Sequence, residues 1–313
     1  MRFRPLGRSG LMVSVVGLGC NNFGSRLDLE GSRALVDAAL DEGVNLFDTA
    51  DIYGGGGRSE TFLGQALGSR RSDAVVATKF GMDMEGANGP DWGARGSRRY
   101  IRIAVEASLR RLGTDHIDLY QYHEPDGITP IEETLAALDE LVSEGKVRYV
   151  GSSNFDAWQV VEAEHVAGRE HLTRFVGAQN HYSLLHRRAE AELVPACAAH
   201  GIGVLPFFPL ARGLLTGKYR RGQPMPEGTR LSGREDLLTD EVFDALEAIE
   251  KFAAERGLTM LDVAIGGLAA KPQVASVIAG AMSPDQLRAN VRAGQWKPTE
   301  ADMEELVRIG ATS

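Results

Sequence analysis

A (β/α)8 TIM barrel preceded by an N-terminal β-hairpin is the fold that this 313-residue sequence predicts, and three observations predict it. Apolar runs of strand length recur between longer amphipathic stretches, and eight of them can be counted. No G-x-G-x-x-G turn follows the first run, which argues against a doubly wound dinucleotide-binding sheet. Polar residues stand at the C-terminal end of one run after another, where a barrel of parallel strands gathers its chemistry.

Residues 2 to 14 read as the hairpin. The strands follow as VVGLG at 15–19, VNLFDT at 44–49, AVVATKF at 74–80, IDLYQYH at 117–123, VRYVGSS at 147–153, FVGAQN at 175–180, IGVLPFF at 202–208 and ASVIAG at 275–280. Between them, SRALVDAALDEG from Ser32 and SRRYIRIAVEASLRRLG from Ser97 open on serines able to cap a helix, and PIEETLAALDELVSEG opens on Pro130, suited to a first turn. All three close on glycine, the residue that best takes the turn after a helix. TEADMEELVRIG near residue 310 is the last helical pattern, and residues 1–313 read as a single barrel domain.

Composition removes several function classes. A 43% hydrophobic and 25% charged chain is an ordinary globular one, able to bury a sizeable core. Its net charge of −9 leaves no excess of cations to neutralise phosphates, which argues against nucleic acid as a partner. The segment MRFRPLGRSG has no apolar leader, and no apolar run reaches the roughly 18 residues of a membrane span, so the expectation is a cytoplasmic protein outside the membrane. Cys20 and Cys197 lie far apart and outside any C-x-x-C pair, giving two reduced thiols with no disulfide framework and no metal cluster. No feature of the sequence signals an oligomeric state.

The stretch FDTADIYGGGGRSE at 47–60 sets one tyrosine beside four glycines, each of which loses much conformational entropy on folding. In a barrel, Asp48, Tyr53, Lys79 and His123, from the second, third and fourth runs and their loops, converge at one mouth. A phenol titrates near pH 10, too high for an efficient proton donor at neutral pH. A neighbouring ammonium from Lys79 is expected to lower it, and Asp48 to keep that ammonium charged. His123 supplies a hydrogen bond that orients and polarises a carbonyl oxygen. The glycines at 54–57 let Tyr53 turn back over the site.

These residues and their surroundings resemble the aldo-keto reductases. The likeness runs from LGRSG at residue 6 to QLRANV near 291, through FDTADIYGGGGRSE, TKFG at 78, RRLGTDHIDLYQYHEPD from 110, VRYVGSSNF from 147, PLARGLLTGKY from 209 and GAMSPDQLRAN from 280. It implies a catalytic tetrad of Asp48, Tyr53, Lys79 and His123, and an NAD(P)H lying extended across the mouth. Ser153, Asn154 and Gln179 then meet the nicotinamide carboxamide, and Phe207 supports the ring. Leu210, Arg212, Gly213 and Lys218 follow the pyrophosphate. Asn22, Gly280, Met282, Ser283, Gln286 and Asn290 complete the cofactor set, Ser283 at a helix N-terminus suited to a phosphate. The same PLARGLLTGKY block echoes a phosphate loop, but Gly213 and Gly217 enclose three residues where that loop needs four, and Tyr219 replaces its Ser or Thr.

Three departures from the family pattern shape the expectations. Met282 replaces a basic or hydroxyl residue, so the preference for NADPH over NADH falls to Arg230 or Lys218 as compensating cations. Asn21 and Asn22 replace a bulky aromatic, and Phe208 a serine. The sequence ends soon after TEADMEELVRIG, which implies an open pocket bordered by the loop at 81–96, with Met82 or Trp92 lining it. The function implied is NADPH-dependent reduction of small aldehydes or ketones with Tyr53 as general acid. The rival is a nucleotide-sensing regulatory subunit similar to the potassium-channel β-subunit branch; a barrel isomerase or hydrolase is a more distant third.

Overall fold

A computed structural model of the chain describes residues 1–224, 231 and 237–310. The expected hairpin forms from β1 (Phe3–Pro5) and β2 (Met12–Ser14), antiparallel with Phe3 opposite Ser14. Eight parallel strands follow among the described residues: β3 (Val16–Gly19), β4 (Leu46–Asp48), β5 (Val75–Phe80), β6 (Ile117–Tyr122), β7 (Val147–Ser153), β8 (Phe175–His181), β9 (Gly203–Phe207) and β10 (Val277–Gly280). Each pairs with the next, and β10 returns to pair with β3, from Val277 opposite Val16 to Gly280 opposite Gly19. Only the seam between β9 and β10 lacks a ladder among the described residues. A single bridge crosses it: Val204 N–H donates to the Gln273 carbonyl at 2.8 Å and Ala275 N–H to the Val204 carbonyl at 3.0 Å.

The helices alternate with the strands on the outside: α1 (Leu29–Asp41), α2 (Arg58–Leu67), α3 (Arg98–Leu112), α4 (Ile131–Ser143), α5 (Ala157–Glu170), α6 (Leu193–His200), α7 (Asp240–Glu255), α8 (Met260–Ala270), α9 (Pro284–Ala293) and α10 (Glu300–Gly310). Ser97 caps α3 as expected, accepting from Tyr100 N–H, and Gly113 ends it in the left-handed region. Two other starts differ from expectation. The cap of α1 is Asp28, which accepts from Gly31 N–H at 2.8 Å, and Ser32 lies inside the helix with its hydroxyl on the Asp28 carbonyl. Asp28 wins because a carboxylate at a helix start also meets the positive end of the helix dipole. Pro130 stands at the cap of α4, one residue before its first turn, with an extended ψ of 141°.

Two of the three apolar regions among the described residues lie within and around the ring of strands; the third joins α7, α8 and α10 through residues such as Leu246, Phe252, Val263 and Leu306. Between strands and helices runs a continuous layer that includes Leu35, Phe47, Val76, Ile101, Leu138, Val160 and Leu268. Inside the ring, Leu46, Ala77, Leu119 and Leu205 from four strands meet Leu6, Leu11 and Val13 of the hairpin, which plugs the N-terminal end. With that end filled, the open end is the one where the strands' C-termini lie.

Glycine fixes how closely some helices approach. A Cβ on Gly64 in α2 would overlap the Leu112 carbonyl at the end of α3, a contact with no flexible side chain to yield. Gly64→Ala is therefore expected to destabilise the fold by about 1–3 kcal/mol by overpacking, read as a lower midpoint in chemical denaturation.

Candidate active site

Asp48 ends β4 and Lys79 is the penultimate residue of β5. Lys79 is fully buried, and its Nζ donates to Asp48 Oδ2 at 2.8 Å and to the Thr49 carbonyl at 2.7 Å. The other Asp48 oxygen, Oδ1, accepts from Gln179 Nε2 at 2.7 Å and more distantly from Gln121 Nε2 at 3.4 Å. A buried ion pair is tolerable only when its remaining hydrogen-bonding capacity is met, and β6, β8 and the backbone just after β4 contribute to meeting it.

Tyr53 lies on the turn between β4 and α2, and its ring sits over the ammonium, 5.0 Å from Lys79 Nζ to the ring centroid. His123 follows β6, its ring edge-on to Tyr53 with centroids 5.8 Å apart. The structure thus brings the four expected side chains together. The turn is held by backbone bonds from Tyr53 N–H to the Ala50 carbonyl and from Ser59 N–H to the Tyr53 carbonyl. Gly54, at a φ of 76°, passes so close to the Phe23 carbonyl that a Cβ would approach it to 2.7 Å.

Electrostatics correct one expectation. Burial raises the Tyr53 phenol above its ordinary range, and Lys79 opposes that rise by charge and hydrogen bond without reversing it, while Asp48 and Asp51 add to it. Tyr53 therefore holds its proton firmly, with a cation placed to stabilise the phenolate that release would leave. Burial alone would lower Lys79, but Asp48 and Tyr53 together keep the ammonium above its usual value. Burial, then the charge of Lys79, lower His123 to about 3, so its imidazole is neutral at ordinary pH. Its Nδ1 is buried without a hydrogen-bond partner.

Asp48, Tyr53 and His123 open onto a cavity of about 700 Å³, while Lys79 lies behind its wall. Ser153, Asn154 and Gln179 form one side. Asn154 has a φ of 57° and its Nδ2 donates to the His123 carbonyl at 3.1 Å, tying that wall to the histidine. Phe207 and Phe208 form another side. Phe207 is backed by His181 in a parallel stack with centroids 5.6 Å apart, and His181 by His186 at 3.9 Å.

Leu210, Arg212, Gly213 and Lys218 line the next stretch. Phe208, Ala211, Arg212 and Gly213 there all take positive φ, a strained run of the kind that turns successive amides toward an anion. Asn22, Gly280, Met282, Gln286 and Asn290 line the far end. Asn22 Nδ2 donates to the Ala281 carbonyl at 3.3 Å, and Asn290 Nδ2 to the Gly280 carbonyl at 3.2 Å. Ser283 caps α9, accepting from Gln286 N–H, while Gln286 Oε1 accepts from Met282 N–H at 2.8 Å. Its hydroxyl is thus engaged in the helix start and is not part of the cavity wall.

Arg230 lies outside the described residues. Trp92, 75% exposed and stacked by Arg99, does not line the cavity, whereas Met82 does. Sequence reasoning missed Gln121 and Arg26. Gln121 pairs directly with Lys79 in the ladder, so period-two alternation back from His123 was a usable signal. Arg26, which lines the cavity from the loop after β3, has no comparable signal.

Comparison with known proteins agrees with this geometry. A profile described as the Aldo/keto reductase family matches residues 15–311. A probable voltage-gated potassium channel subunit beta of Oryza sativa subsp. japonica is 38% identical over 303 residues, covering 94% of this chain and 91% of that one. A versiconal hemiacetal acetate reductase of Aspergillus parasiticus is 34% identical over 336 residues, covering 98% and 96%. An L-glyceraldehyde 3-phosphate reductase of Escherichia coli K12 is 35% identical over 306 residues, covering 94% and 87%. The chain belongs to the aldo/keto reductase family, whose members are NAD(P)H-dependent oxidoreductases.

Proposed function

We propose that the protein reduces small aldehydes or ketones to alcohols with NADPH, Tyr53 acting as the general acid. The observation that carries this reading is the buried Lys79–Asp48 pair beneath a phenol and a neutral imidazole at the wall of one large cavity. When bound, the reduced nicotinamide supplies the hydride. The donor set suits such a group: amide and hydroxyl side chains at 153, 154 and 179, an aromatic face at 207, and cations at 212 and 218 beside a strained backbone run. The names of two relatives, each a reductase, support a carbonyl compound as substrate.

In this reading, His123 donates a hydrogen bond to the carbonyl oxygen and draws electron density from the carbon. Tyr53 passes its proton to the same oxygen as negative charge develops there. Lys79 stabilises the phenolate left behind, and Asp48, fixed by Gln179, keeps the lysine charged. The Gln179 amide nitrogen is already engaged with Asp48, so its side-chain oxygen is the group that remains for a carboxamide. NADPH rather than NADH is proposed on the strength of Lys218, exposed at the cavity edge, as the cation that would compensate for Met282; Arg212 serves the pyrophosphate common to both.

A second reading, a nucleotide-sensing regulatory subunit, is favoured by the relative named as a channel subunit. It predicts tight cofactor binding with one slow turnover. Steady-state assay with a panel of aldehydes separates the two, since continued oxidation of NADPH sinks the sensor.

Tyr53→Phe is expected to lower turnover by about 10²–10⁴-fold while leaving NADPH affinity, read by fluorescence titration, unchanged. Retained turnover would remove the phenol from the mechanism. Since His123 titrates at about 3, kcat/KM is expected to stay level from about pH 7 down to about pH 5. A loss with its midpoint near the ordinary histidine value of about 6.5 would show that an imidazolium forms at the mouth. Parallel titrations should give a lower Kd for NADPH than for NADH by about tenfold, roughly 1.4 kcal/mol. The reverse order would assign the site to NADH.

A further inference from the structure

We propose that Asp51 is a positioning residue that ties the segment beside the cavity mouth to the turn carrying Tyr53, and that its ionisation loosens the tie. The assignment rests on Tyr53 being the proton donor proposed above. Asp51 precedes Tyr53 by two residues and is fully buried, and its N–H donates to the Lys79 carbonyl at 3.2 Å. Its Oδ2 accepts from Asn88 Nδ2 at 3.0 Å. Asn88 is itself buried and belongs to the segment after β5, whose Met82 lines the cavity.

Arg111 on α3 fastens the other side of this arrangement. Its Nη1 donates to Asn88 Oδ1 at 2.9 Å and its Nε to Glu60 Oε2 at 2.6 Å. Glu60 lies in the first turn of α2, into which the glycine run leads, and takes a second bond from Thr78 at 2.5 Å. Gly57, the last of the four glycines, lies against the Arg111 side chain so closely that any Cβ would overlap it. One guanidinium thus reaches the start of α2 directly and the turn at Tyr53 through Asn88 and Asp51.

Charge makes this tie conditional. The groups facing Asp51 are Tyr53 from its own turn, Glu60 from α2, Arg111 and Tyr100 from α3, Asn88 from the segment after β5, and Tyr120 from β6. Among these described residues Arg111 is the single cation, and Glu60 already pairs with it. Two ionised carboxylates would leave one negative charge uncompensated where water does not reach. Burial, then the charge of Glu60, accordingly lift the Asp51 carboxyl to about 8, against the opposing pull of Arg111 and Asn88. Asp51 Oδ1 and the Tyr120 hydroxyl are both buried without hydrogen-bond partners, so no bond in this pocket compensates a charge on Oδ1.

The sign follows from linkage. Opening the turn exposes Asp51 to water, where a carboxyl titrates near 3.9, so between about pH 4 and about pH 8 each opening releases a proton. Opening should become about tenfold easier per pH unit in that window and level off above about 8.

Hydrogen exchange on the full chain, corrected for intrinsic rates, tests this at residues 50–57 and 84–89 from about pH 6 to about pH 9. Wild-type protection is expected to fall about tenfold per unit up to about pH 8 and then hold, while Asp51→Asn shows no slope. Asn88→Ala should lower kcat about tenfold with NADPH affinity within about twofold, the split expected when the acid is misplaced but the cofactor is not. A flat wild-type profile overturns the proposal without any variant, and an equal slope in Asp51→Asn overturns it as well. If Tyr53→Phe keeps its turnover, the catalytic reading fails while the exchange profile still reports on the tie, so the two failures are told apart.

Discussion

The ion pair between Lys79 and Asp48 is the constraint from which the site's geometry follows. Two charges with almost no exposure are stable only if each has its hydrogen bonds, and those bonds come from four strands and a backbone carbonyl. The strand registers therefore cannot slip by one residue without sending Lys79 outward and leaving a carboxylate buried alone. Barrel register and the electrostatics of the mouth are one requirement seen from two sides.

The same pair sets the character of its neighbours. Lys79 makes protonation of His123 unfavourable and favours the phenolate of Tyr53, so one cation pushes two rings less than 6 Å apart toward their deprotonated forms. In the reaction proposed above, the first ring serves as a neutral donor and the second as the proton source. Burial exceeds the cation's influence on Tyr53, so the phenol keeps its proton in the resting site; in the proposed reaction it gives that proton up as negative charge develops beside it. That sequence of events suits an acid that must not ionise in the resting site.

Much of this was legible in the sequence because it depends on period and position. Strand-length apolar runs located all eight strands to within about two residues, and a polar residue at or next to the end of each of three runs pointed to Asp48, Lys79 and His123. What was not legible depends on register and desolvation. The bonds of Gln121 and Gln179 to Asp48 require knowing which residues face inward at the same height. The rise of the Tyr53 phenol requires knowing how much water its surroundings exclude. Asp28 and Ser32 are both residue types that cap well, and the carboxylate's added interaction with the helix dipole, which favours Asp28 at the start of α1, is not readable until the helix start is known. The network of Asp51, Asn88, Glu60 and Arg111 joins residues up to 60 positions apart, and no local pattern announces it.

The barrel's seam gives the cavity a mechanical meaning. Among the described residues, Val204 alone of β9 bridges toward β10, where every other neighbouring pair has a ladder. The run from Phe208 to Lys218 leaves one lip of that seam, and the stretch from Gly280 to Asn290 leaves the other. A molecule long enough to touch both lips acts as a clasp across the weakest join in the ring, so filling the cavity and holding the cylinder shut draw on the same free energy.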